Sequence, residues 1–128
     1  MSAMSDFLEL EVLDHVLGTG AYTMPSTVQI GLSTGSFNDD NSGTELTGNG
    51  YARVAITFAA ASSGSAATNA TVTFPTATGS WGSVSHWGLF DAASGGNLLI
   101  HGSFATPKTI TSGDVLRINS GDLTVTAA

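Results

Sequence analysis

The sequence predicts a single all-β domain, an antiparallel β-sandwich or jelly-roll-like fold carrying one short N-terminal helix. Three observations carry this reading. Short apolar segments alternate with period two, turn residues separate them at regular spacing, and 128 residues suffice for one hydrophobic core. The composition agrees, with 41% apolar residues, only 10% charged residues and 16 glycines, a profile of strands and turns rather than helices. Residues 1–128 therefore read as one domain, with the helix inside 1–18 and the strands spread over 27–126.

Ser5 or Asp6 can cap a helix from about Asp6 to Leu17. Asp6 and Glu9 suit its positive first turn, and Gly18 can close it. Leu8, Val12 and Val16 form an i, i+4, i+8 stripe joined by Leu13, while Phe7, Leu10 and Leu17 add apolar surface on another side. A helix this apolar wants a partner. Covering one end of its own β-domain is the first expectation, and docking onto another subunit is the second.

From Thr27 to Leu32 the chain alternates, placing Val28, Ile30 and Leu32 on one face of a strand. Phe37 to Gly50 is rich in Asn, Asp, Gly, Ser and Thr, which favour turns, and predicts a long exposed loop. Alternation returns from Tyr51 to Ala59, with Ala52, Val54, Ile56 and Phe58 on one face. Ala60 to Asn69 is low in complexity and reads as a connection. Further strands are expected at about Thr71–Phe74, Val84–Asp91, Leu98–Ala105, Val115–Asn119 and Leu123–Thr126, punctuated by Pro75, Ser94-Gly95-Gly96, Ser112-Gly113 and Ser120-Gly121.

Charge and composition exclude several functions. The net charge of -7 sets ten carboxylates against Arg53, Lys108 and Arg117, too few cations for a phosphate-binding surface, so no nucleic-acid partner is expected. Without cysteine there is no disulfide and no thiolate zinc site. No apolar stretch is long enough for a membrane span, and acids stand near the N-terminus where a signal peptide carries bases, so synthesis in the cytoplasm is expected.

Candidate chemistry is sparse. No nucleophile elbow, phosphate loop or dinucleotide fingerprint is present, and no enzyme or cofactor is expected. Asp91, Asp114 and Asp122 flank strand ends, where turn capping explains them. His86 and His101 lie on the two strands of an expected hairpin and face each other across it, but a third metal ligand is missing. His15 suits the negative C-terminal end of the helix. Asn38 to Glu45 offers oxygen ligands for calcium without EF-hand spacing, and reads as a solvated turn. Trp81, Trp87, Tyr51 and Phe90 could form a stacking platform for a host-surface glycan, but core or subunit packing is the first reading.

Several stretches together carry a family resemblance: Leu8-Glu9-Leu10-Glu11-Val12-Leu13-Asp14-His15-Val16-Leu17, Val28-Gln29-Ile30-Gly31-Leu32, and Gly43-Thr44-Glu45 leading to Gly50-Tyr51-Ala52-Arg53. It continues through Val72-Thr73-Phe74-Pro75, Trp81 to Ala92, Gly95-Gly96-Asn97-Leu98-Leu99, and Gly113-Asp114 to Gly121-Asp122-Leu123. Over nearly its whole length the chain resembles small bacteriophage virion proteins commonly labelled phage tail-fibre proteins. That resemblance implies a non-enzymatic virion protein, a tail or fibre component or a capsid-decorating protein, with no active-site residues. By analogy with virion appendages the expected partners are further copies, as a homotrimer, and other virion proteins. The expected contact residues are Leu8, Val12 and Val16 of the helix together with Trp81 and Trp87; a carbohydrate-binding module is the alternative function.

Overall fold

A computed structural model describes residues 2–127. In chain order the elements are β1 (Ser2–Met4), α1 (Asp6–Val16), β2 (Val28–Ser33), β3 (Val54–Ile56), β4 (Ser65–Ala67), β5 (Val72–Thr73), β6 (Gly82–Phe90), β7 (Leu98–Ile110), β8 (Arg117–Ile118) and β9 (Thr124–Thr126). The fold is all-β with one short helix, and every strand pairing is antiparallel. One layer is a five-stranded sheet in the order β1-β7-β6-β2-β3, and two short ribbons, β4-β9 and β5-β8, complete the set.

The main core follows from the period-two pattern. Ile30 pairs with Leu89 and Leu32 with Trp87, so these four side chains share one face of the sheet. Against that face pack Val72 and Phe74 around β5, Leu116 and Ile118 around β8, and Leu123 ahead of β9. The opposite face carries a second cluster, Phe37, Phe90 and Leu98, in which Phe37 and Phe90 meet edge to face at 5.6 Å. Because both faces are covered, Trp87 and Phe90 are both buried despite their opposite parity.

The structure moves several expected boundaries. The strand expected to end at Ala105 continues to Ile110 as β7, pairing Gly82 with Ile110 and Val84 with Lys108. Pro107 falls within the irregularity between Val84 and His86, where its missing N–H costs no ladder bond. The strand expected over Tyr51–Ala59 narrows to β3, with Phe58 making only an isolated bridge to Thr68 and Tyr51 and Arg53 directing their polar heads to Glu45. Ala60–Asn69, read as a connection, contains β4, which pairs with β9. β1 was not expected at all; its three residues pair with Ile100, His101 and Gly102.

Phe37–Gly50, expected to be an exposed loop, is tied down at three points. Phe37 is buried, the Gly43 N–H donates to the Phe37 carbonyl, and the Leu46 N–H donates to the Leu32 carbonyl. Gly31 and Gly88 make the close approach possible. A Cβ on Gly31 would lie 2.7 Å from Glu45 Oε2, and one on Gly88 would lie 3.1 Å from the Phe37 ring.

Ser5, not Asp6, caps α1. Its hydroxyl accepts from the Leu8 N–H at 3.2 Å and donates to the Leu98 carbonyl, joining helix to sheet. Ser5 is almost fully buried, so Ser5→Ala leaves both partners unsatisfied. The expected loss is about 1–2 kcal/mol in urea unfolding.

Candidate functional site

Two regions gather the distinctive side chains: a polar network under the loop and the helix with the pocket beside it. In the network, Arg53 forks onto Glu45, with Nη2 2.7 Å from Oε1 and Nε 2.9 Å from Oε2. Arg53 Nη1 donates to the carbonyls of Ala92 and Gly95 at 2.9 and 2.8 Å, and the guanidinium lies 3.5 Å from the Phe90 ring centroid. The Tyr51 hydroxyl donates to Glu45 Oε2 and accepts from the Leu32 N–H at 2.9 Å. One guanidinium therefore clamps the loop, the β6–β7 turn and the sheet together.

Four of the Arg53 N–H groups, the Glu45 carboxylate and the Tyr51 hydroxyl are engaged within the chain, so the network braces the loop on the sheet. Burial, and then the hydrogen bond to Glu45, push the Tyr51 phenol far above its ordinary value. The sign follows directly: a phenol with a raised folded pKa contributes stability that is complete below the unfolded value of about 10 and is lost as pH rises past it. Unfolding followed by phenolate absorbance is expected to show stability falling above pH of about 10, and Tyr51→Phe is expected to reduce that alkaline loss. Tyr22 contributes a smaller effect of the same sign, from burial and then the charges of Asp91 and Glu11.

The histidines and acids are similarly accounted for. His86 pairs in register with Ser103, and His101 with Gly88, so the two rings do not stand opposite each other as expected. His101 instead meets Asp39 at 2.7 Å, and His86 meets the hydroxyl of Ser85. Within the acidic loop, hydrogen bonding from the Ser42 hydroxyl, and then from the Ser42 N–H, lowers the Asp40 carboxyl pKa, and Glu45 holds Arg53. Asp91 clasps its turn through Asn97, and Asp114 accepts from Thr111, which lowers its pKa too. Among the described residues no group of three potential metal ligands converges.

Of the contact residues read from the sequence, Trp81 and Trp87 are only 5% and 3% exposed. Trp81 also spends its Nε1–H on the Asn49 carbonyl at 2.9 Å and stands edge-on to Tyr51. Both tryptophans are buried within the copy, so neither presents an open ring face to a subunit or a sugar. The stripe Leu8, Val12, Val16 splits along its length: Leu8 is buried, Val12 is half-buried and Val16 is exposed.

The helix turns other residues outward. Leu10, Leu13, Val16 and Leu17 are 65%, 54%, 72% and 70% exposed, a concentration of apolar surface that marks an interaction site. Beside α1 opens a pocket of about 320 Å³ with an almost wholly apolar lining that includes Leu8, Tyr22, Val28, Leu99 and Val125. Sequence reading missed Leu10, Leu13 and Leu17 as the outward face, because apolar residues surround most of the helix. The Glu45, Tyr51 and Arg53 brace did leave a signal, the Gly43-Thr44-Glu45 and Gly50-Tyr51-Ala52-Arg53 stretches of the family resemblance. No helix among the described residues is long and apolar enough to cross a membrane.

No curated protein matches the chain. A family sequence profile described as podophage GP4 fiber I protein gp80 does match, over residues 3–126. The matched span runs from within β1 to the last residue of β9, so it takes in the helix, the brace and both ribbons, and the chain belongs to the podophage GP4 fiber I protein gp80 family.

Proposed function

We propose that the protein is a non-enzymatic structural component of a phage particle, a tail-fibre part that acts by packing against copies of itself and other virion proteins. The observation that carries this reading is the outward apolar face of α1, with Leu13 54% and Leu17 70% exposed. Family membership supports the fibre role, and the absence of cysteine suits a particle part assembled in the reducing cytoplasm and later exposed outside. Buried hydrophobic surface between copies would add to the modest core of a 128-residue domain.

A homotrimer with α1 at the contact is the assembly this function calls for. Val12 and Val16 retain accessible surface for it, whereas Leu8, Trp81 and Trp87 act through the core of each copy. Light scattering on the purified protein at micromolar concentration is expected to give the mass of three copies. A stable 12.9 kDa particle would overturn the oligomeric reading.

A further inference from the structure

We propose that copies associate head to tail, with the leucine stripe of α1 in one copy lying in a groove beside the free edge of β7 in the next. This rests on the oligomeric reading above and names the surface that receives the helix. By the 3.6-residue period, Leu10, Leu13 and Leu17 recur at i, i+3, i+7 on the side of α1 opposite Leu8. Asp14 flanks that stripe on one side and Glu9 on the other, and Asp6 stands in line with it at the helix start. None of these acids forms a salt bridge among the described residues.

The groove supplies the complement. β1 covers the outer edge of β7 only at Ile100, His101 and Gly102, and the later part of that edge is left free by the sheet order. Two hollows of about 280 Å³ each adjoin it and share Phe104, Ala105, Asp122 and Leu123. Leu116 and Ile118, both buried, form part of the apolar floor. Lys108 and Arg117 line the same groove, and they are the only Lys or Arg residues besides Arg53. Neither meets a carboxylate among the described residues, and Asp122 is the single acid there. In a chain with ten acids and three bases, two cations without a carboxylate partner thus border a groove with a partly apolar floor, and an apolar stripe elsewhere is bordered by acids without a cation partner among the described residues. Charge complementarity selects a second copy as the occupant.

The two surfaces lie at different ends of β7, α1 near the strand's start and the groove along Phe104–Lys108. A contact between them is heterologous and closes into a ring when the rotation allows. Such a contact has a signature that a symmetric helix-to-helix contact lacks. A copy carrying Leu10→Glu and Leu13→Glu has no functional helix, and one carrying Lys108→Glu and Arg117→Glu has no functional groove. In sedimentation velocity each is expected to remain monomeric alone, and an equimolar mixture is expected to form a two-copy species. The near-ultraviolet circular dichroism of buried Trp81 and Trp87 reports that each variant is folded. The milder pair Lys108→Gln and Arg117→Gln is expected to weaken wild-type assembly about tenfold, more so at low salt.

A groove variant that assembles like wild type would overturn the head-to-tail assignment while leaving oligomerisation intact. A folded mixture that stays monomeric would do the same. Wild-type protein that is itself monomeric would instead remove the oligomeric reading on which the assignment rests.

Discussion

Arg53→Ala is expected to destabilise the fold by about 3–5 kcal/mol, the range for breaking a buried charge pair from one side. The side chain is only 8% exposed, and its removal strips Glu45 of both forked bonds and the Ala92 and Gly95 carbonyls of the donor that joins them. Phe90 also loses the cation stacked on its ring. Domains of this size have total stabilities of about 5–15 kcal/mol, so urea unfolding should show a large shift in midpoint. Arg53→Lys is expected to lose more than half as much, since an ammonium cannot fork onto the carboxylate and reach two carbonyls together. Tight retention of stability in Arg53→Ala would mean that the brace is not what holds the loop and the β6–β7 turn on the sheet.

Trp87→Ala is expected to cost about 3–5 kcal/mol, through lost burial and the cavity left behind. Its neighbours Leu32, Leu89 and Val84 are themselves almost inaccessible, so the site cannot collapse easily. The variant separates packing within a copy from contact between copies. Thermal stability should fall sharply, and any fall in assembly should track unfolding, whereas Leu13→Glu should disturb assembly while leaving the fold stable. The opposite pattern, with folded Trp87→Ala failing to assemble, would return Trp87 to the subunit contact.

These contrasts show where the sequence was informative. Alternation in Val28–Leu32 marked an interior strand of the sheet and its inward face, because a strand with period two has only two faces to choose between. The all-β class followed from the same pattern. The start of β7 was read correctly, but its far end could not be, since Pro107 looks like a terminator until the irregularity opposite it accommodates the missing donor. β1 and β4 were hidden because Ser2–Met4 and Ser65–Ala67 lack alternation, and only distant partners make them strands. For α1, local periodicity could not decide which side faces inward. Ser5 decides it by bonding Leu98, a contact separated by most of the chain. The same non-local dependence hid the geometry of the brace: its stretches stood out in the family resemblance, but that they meet depends on Gly31 letting Glu45 and Tyr51 approach the sheet.

A building part of a phage fibre travels in intact particles at low, fixed copy number. Quantitative mass spectrometry of purified parent particles, with this chain's copy number set against that of the major capsid protein, tests this most directly. A few to a few tens of copies per particle, in multiples of three, is the expected result. Near-stoichiometric copies would move the protein from the fibre to the capsid surface, and its absence from intact particles would contradict a virion role altogether.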